Sequence, residues 1–270
     1  MPHKPMLTVS LLFLMLSSCS KVENKDFSDL PIIEAYLMPG SYPQVNISRQ
    51  TPFSSSAEYA TDDITKLQIF LGCNGTEREL SSSGDGVYID SSELCVTGAS
   101  YTLRFVYNSL TVSAVTTTPS KPLNFTQSVT EISMERQDST SGPPGTTMPD
   151  PVTVSWDNTD GSYYIVVIDC MEETLDPIRD FGDKEPPGNR FREAPTTSTA
   201  MEIRPNEFQY FGKHRLILYH VLPDYASLYD VNSTSSQNLT NPSTSIINGY
   251  GIFTGMNADT LYLNIRESSK

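Results

Sequence analysis

Short runs of alternating apolar and polar residues, each broken off by a turn signal, restrict the folds open to this chain more than any other feature. "PIIEAYLM", "QVNISRQ", "TKLQIFLG", "GVYIDS", "SYTLRFVY" and "LTVSAVTT" follow one another between residues 31 and 117. A period of two places alternate side chains on opposite faces, so each run offers an apolar face to a core and a polar face to water. Pro39-Gly40, Asn74-Gly75 and Gly84-Asp85-Gly86 stand at the breaks, where tight turns need residues that tolerate positive φ. A parallel sheet would require interleaved helices of ten or more residues, and no stretch here carries that periodicity. The pattern predicts an all-β chain built of sandwiches.

A second series follows: "NFTQSVTEISMER", "VTVSWDN", "SYYIVVIDC", "TAMEIRPNEF", "GKHRLILYHVL" and "GYGIFTGMNADTLYLNI", with a short helix expected at "PDYASLYDV". Trp156, the only tryptophan, ends a Val-Thr-Val run and precedes a Tyr-rich one. That order is similar to fibronectin type III domains, although any sandwich core can hold a tryptophan there. "TTPSKP" between the two series looks like a linker. Two consecutive immunoglobulin-like domains are therefore expected, residues 29–122 and 123–270. Residues 171–200 are acidic, proline-rich and aperiodic, and read as a long surface loop.

The N-terminus is of another kind. After His3 and Lys4 an apolar run extends from Met6 to Leu16 and ends in Leu16-Ser17-Ser18-Cys19. A run this short cannot span a bilayer core, which takes about 20 residues, so residues 1–18 read as a signal peptide. The ending resembles the lipobox of bacterial lipoproteins, which implies cleavage before Cys19 and acylation of its thiol. An ordinary signal peptide is the other reading. Each buried acyl methylene contributes about 0.8 kcal/mol, and two or more chains of palmitate type hold a protein stably on a membrane. Residues 19–28 are then a polar tether between lipid and fold.

The 32 acidic against 18 basic residues give a net charge of −14 with no basic block. Nucleic acid is excluded as a partner, because phosphate binding needs clustered Lys and Arg. Cys73 and Cys95 flank the turn-rich "SSSGDG" and can either face each other across neighbouring strands as a disulfide, worth roughly 3 kcal/mol, or remain two buried thiols. Cys170 lies in phase with Tyr164, Val166 and Ile168 and reads as a small core residue.

"LPIIEAYLMPGSYPQVNISRQTPF", "GVYIDS" with "GASYTLRFVY", and "NPSTSIINGYGIFTG", together with the Leu16–Cys19 pattern, resemble a family of outer-membrane lipoproteins of unknown function from Bacteroidota, encoded beside TonB-dependent receptors. The resemblance implies an outer-membrane lipoprotein with immunoglobulin-like domains, facing either the cell surface or the periplasm, that assists uptake. It brings no catalytic residues with it.

Motifs for chemistry do not emerge: the chain has no His-Glu-x-x-His, no Cys-x-x-Cys, no Gly-x-Ser-x-Gly and no phosphate-cradling loop. Gly249-Tyr250-Gly251 with Gly255 misses the dinucleotide spacing and reads as a glycine-bent strand. His214 and His220, six apart on one strand, would stand about 20 Å from each other, too far to share a metal. Asp157, Asp160, Asp169, Glu172, Glu173, Asp176, Asp180 and Asp183 either gather calcium, which takes six to eight oxygens, or form a solvated acidic stretch. No enzyme activity, cofactor or metal is expected. Aromatic residues remain as a binding surface, with Tyr210, Phe211, Tyr250 and Phe253 the candidates and Tyr225 and Tyr229 beside them, against the alternative that they fill the core. The sequence thus favours a lipid-anchored accessory module for a TonB-dependent receptor in nutrient uptake. The alternatives are an adhesin or fimbria-like subunit, and a hydrolase with dispersed carboxylates.

Overall fold

The computed structural model describes residues 29–50, 62–137, 148–229 and 245–268. The signal peptide, Cys19 and the tether lie outside the described residues. Half of the described residues are strand and 5% helix. In the first series, β1 (Pro31–Leu37), β2 (Gln44–Arg49), β3 (Phe70–Cys73), β4 (Thr76–Glu79), β5 (Ser81–Gly84), β6 (Val87–Ile89), β7 (Ser100–Tyr107) and β8 (Leu110–Thr117) follow the alternating runs. The second contains β9 (Thr126–Gln127), β10 (Glu131–Met134), β11 (Val152–Ser155), β12 (Tyr163–Cys170), β13 (Arg190–Arg192), β14 (Ala200–Ile203), β15 (Gly212–Val221) and β16 (Tyr250–Glu267). One turn of helix, α1 (Pro223–Ala226), follows β15 at the expected place and continues as a 3-10 turn through Tyr229.

A nine-stranded sheet runs through the whole molecule in the order β13-β12-β15-β16-β1-β2-β6-β5, with β10 on the end of β16. Two smaller sheets pack against it. The four-stranded β4-β3-β7-β8 encloses a core containing Ile33, Leu37, Ile47, Tyr88, Leu103 and Phe105, and the three-stranded β14-β11-β9 encloses one containing Val154, Trp156, Ile168, Phe208, Leu216 and Leu263. Trp156 is buried there with its ring 5.7 Å from that of Tyr164.

The last strand joins the two halves. Tyr250–Gly255 run beside β1 in parallel, Met256–Ile265 pair antiparallel with β15, and Asn264–Glu267 run parallel to β10. Its odd-numbered residues serve both sandwiches: Phe253 enters the first core, and Leu263 and Ile265 enter the second. Its even-numbered residues Ile252 and Met256 face the other side of the sheet, in a third cluster with Ile165, Val167, Ile217 and Val221. The chain therefore does not separate at residue 122, since the core around residues 33–114 also contains Ile246 and Phe253.

Nor is the stretch from Thr118 to Pro122 a free linker. Asn257 Nδ2 donates to the Pro119 carbonyl at 3.0 Å, His220 Nδ1 donates to that of Ser120 at 2.8 Å, and Lys121 pairs with Asp259 at 2.9 Å. These contacts fix the crossing between the halves against β15 and β16.

The pairing of Cys73 with Cys95 is not made; both are free thiols. Cys95 lies on the connection between β6 and β7, tied by backbone bonds to Gly40 and Ser41, while Cys73 ends β3 opposite Tyr101. They do not sit on neighbouring strands as the turn-rich spacing suggested. Burial pushes the Cys95 thiol up to about 11, so it stays protonated at neutral pH. Cys170 is buried, as its phase required.

Candidate functional site

The face of the long sheet that carries neither sandwich holds a cavity of about 310 Å³, at the small end of ligand pockets. Its floor is apolar and comes from four adjacent strands: Ile165 and Val167 of β12, Val221 of β15, Met256 of β16, and Met38 just after β1. These residues meet because the sheet is continuous across the two halves. On β1 the same alternation that buries Ile33 and Ala35 turns Glu34 and Tyr36 toward the cavity.

Helix α1 closes one end. Pro223 starts it, a position where proline's missing N–H costs nothing, and the Thr254 hydroxyl donates to Asp224 Oδ1 at 2.9 Å to hold it on β16. Tyr225 is thereby placed with its ring edge-on to Tyr36, centroids 5.9 Å apart, and 5.9 Å from the ring of Tyr229. The wall beside it is β13, where Arg190 and Arg192 flank Phe191 and share one side of the strand. Arg192 Nη1 donates to the Tyr225 hydroxyl at 2.9 Å and to that of Tyr229 at 3.3 Å, and Arg190 Nη2 donates to Tyr219 at 3.4 Å.

Electrostatically the site is two cations and the Glu34 carboxylate among phenols. Among the described residues neither Arg190 nor Arg192 forms an ion pair. Hydrogen bonding to Tyr229 holds the Arg192 guanidinium above its usual range. Burial, with Glu34 beside it, pushes the Tyr36 phenol up to about 12, and burial, with the bond to Tyr229, pushes Tyr225 to about 12. Both stay neutral around pH 7 and can bind through hydrogen bonds and ring faces.

A second depression, lined by Arg136, Arg179, Asp180 and Phe181, is made from loops. Arg136 is fully engaged there, with Asp176 at 2.8 Å, Glu267 at 2.9 Å and the Phe211 ring beneath it. Its charge is neutralised within the fold.

The aromatic residues expected to form a surface separate into two groups. Tyr210, Phe211 and Phe253 are buried, Phe211 and Phe253 inside the sandwiches and Tyr210 with its hydroxyl donating to the Pro187 carbonyl, and Tyr250 is half-buried in β16 where it pairs with β1. Tyr225 does line the cavity, and Tyr229 packs beside it against Tyr225 and Arg192. Arg190, Arg192, Glu34, Tyr36 and Met38 were not anticipated. The signal for the β1 residues was present, since Glu34 and Tyr36 occupy the outward phase of a strand whose inward phase was recognised. The stretch 171–200, read as a surface loop, contains β13 and also Ile178, which is fully buried in the second core.

Acidic residues do not converge; among the described residues no group of three or more potential ligands could hold a metal. Asp169 pairs with Arg215, Asp176 with Arg136, and Asp160 accepts from the Ser162 amide at 3.1 Å in a turn. His214 is buried edge-on to Phe208, its Nδ1 donating to the Gly212 carbonyl at 3.0 Å, and His220 stacks on Tyr164 with centroids 4.8 Å apart. Burial holds His214 below its ordinary 6.5. The native state therefore resists a proton that the unfolded chain accepts, so stability is complete above pH 6.5 and is lost as the pH falls below it. Urea unfolding at pH 7 and pH 5 should show a loss for the wild type that is smaller in His214→Gln.

No curated protein matches the chain. The model of a domain of unknown function, DUF4249, matches residues 20–261, nearly the whole of the chain, and the protein belongs to that family.

Proposed function

We propose that this protein is a lipid-anchored binding module of the outer membrane that serves a TonB-dependent receptor in nutrient uptake and recognises its ligand in the cavity on the open face of the long sheet. The observation that carries this reading is the cavity itself: an apolar floor from four strands, rimmed by the Tyr36 and Tyr225 phenols and by two arginines that form no ion pair among the described residues. Such a surface binds and orients; the Tyr36 and Tyr225 phenols, shifted away from neutral pH, are poor proton carriers. The anchor and the receptor rest on the Leu16–Cys19 pattern and on the resemblance to lipoproteins encoded beside such receptors. Confinement to the membrane would let even a weak interface with a receptor act, through raised local concentration.

The test begins with Cys19→Ser, which should move the protein from the membrane fraction to the soluble fraction. Mild-detergent purification of the wild type from its native membrane should bring a TonB-dependent receptor with it. An unchanged distribution of Cys19→Ser would remove the anchor from the reading. Purification without a receptor, or turnover of a glycan or peptide by the protein alone, would remove the accessory role.

A further inference from the structure

We propose that the cavity takes a small organic acid, an apolar or aromatic body lying on the strand floor with its carboxylate held by Arg192 and Arg190. The inference rests on reading this cavity as a binding site and adds the chemistry of what enters it.

Charge sets the direction. In a chain of net charge −14, two arginines on one three-residue strand face the same cavity and, among the described residues, hydrogen-bond through their side chains to tyrosine hydroxyls alone. A guanidinium carries five N–H donors in a planar fork, and both of the phenol bonds to Arg192 are made by Nη1. The fork's remaining donors suit a carboxylate, which guanidinium binds through paired, charge-assisted hydrogen bonds. Tyr225 and Tyr229 hold the Arg192 side chain in place before any ligand arrives, which reduces the ordering cost of binding.

The other wall gives the ligand its orientation. Glu34 of β1 lines the cavity on the far side of the Tyr36 and Tyr225 rings from Arg192, and its carboxylate repels an anion from that side. Between the two walls the floor offers Met38, Val167, Val221 and Met256. An acid is thus drawn head-first to β13 with its body over the methionines. Methionine and tyrosine surfaces adapt to both flat and flexible apolar groups, so the floor selects for apolar character and small size, with the acid group read at β13.

Calorimetric titration of the chain lacking residues 1–18 tests this with two matched pairs: 3-phenylpropanoate against 3-phenylpropan-1-ol, and octanoate against octan-1-ol. At least one acid should bind tighter than its alcohol by roughly 10- to 100-fold, the range for a hydrogen-bonded charge. Arg192→Gln should bring acid and alcohol together, and Met38→Trp, which fills the floor from a half-buried position, should weaken both; unchanged circular dichroism of each variant checks the fold. If acid and alcohol bind equally and Met38→Trp weakens both, the carboxylate inference is overturned while the cavity remains a binding site. If inorganic phosphate competes as well as the acid, the apolar floor is not being read and the inference fails. If no compound binds, or Met38→Trp changes nothing, the reading of the cavity as a binding site falls with it.

Discussion

A chain ending at Asn248 should fail to fold in either half, although the sequence places residues 29–122 in a domain of their own. Such a truncation removes β16, and with it Phe253 from one core, Leu263 and Ile265 from the other, and Ile252 and Met256 from the outer cluster. Five buried apolar side chains at about 1.5–3 kcal/mol each match the whole stability of an ordinary domain, about 5–15 kcal/mol. Both flanking strands would also lose their ladder partner, exposing two long edges that invite aggregation. The milder variant Phe253→Ala should cost about 3–5 kcal/mol, read from urea unfolding by tyrosine and tryptophan fluorescence. Because Trp156 lies in the other half, its signal should shift together with that of the first half. Two separate transitions, or a folded fragment 29–122, would show that the halves are independent.

Replacing Gly251 by alanine should be nearly as damaging for a different reason. Gly251 has φ +97, and a Cβ there would lie 2.0 Å from the Ile33 carbonyl oxygen, in the register where β1 and β16 run in parallel. The substitution meets both the left-handed backbone penalty, about 1–2 kcal/mol, and an overpacking penalty of about 1–3 kcal/mol. Gly40 supplies the control, since its φ is +83 but nothing lies within 4 Å of a Cβ. Gly40→Ala should therefore cost only the backbone part. Equal losses for the two variants would mean that the close approach of β16 to β1 is not needed. Gly255 makes a similar approach without the backbone constraint: a Cβ there would lie 2.0 Å from the Thr117 carbonyl, where β16 meets β8.

What the sequence made legible follows from what alternation can encode. Strands such as β1, β7 and β8 bury alternate residues against a sandwich, and their inward phase is visible in Ile33, Ala35 and Leu37 or in Leu103 and Phe105. β13 was invisible because three residues, Arg-Phe-Arg, carry too little pattern to stand out from an acidic, proline-rich stretch. The boundary at Pro122 was misleading for a related reason. Pro, Ser and Lys mark a linker in sequence, but the carbonyls of Pro119 and Ser120 are fixed by Asn257 and His220, which stand far along the chain.

The aromatic candidates show the same limit. Phe253 sits among glycines and looks loop-like, yet it shares odd phase with Leu263 and Ile265, which would have placed it inward on one uninterrupted strand. Tyr225 and Tyr229 reach the site because a single turn of helix sits over the open face of the sheet. That face belongs to four strands from both series, so no local window of sequence contains it.

In the proposed function, recognition takes place on this open face, between β13 and β1. Hydrogen–deuterium exchange of the chain lacking residues 1–18, with and without saturating 3-phenylpropanoate, addresses it directly. The account predicts slowed exchange at Arg190–Arg192 and at Pro223–Tyr229, the two exposed elements that border the cavity. Slowing confined to the loops around Arg136 and Pro177–Pro186, or no slowing at all, would contradict it.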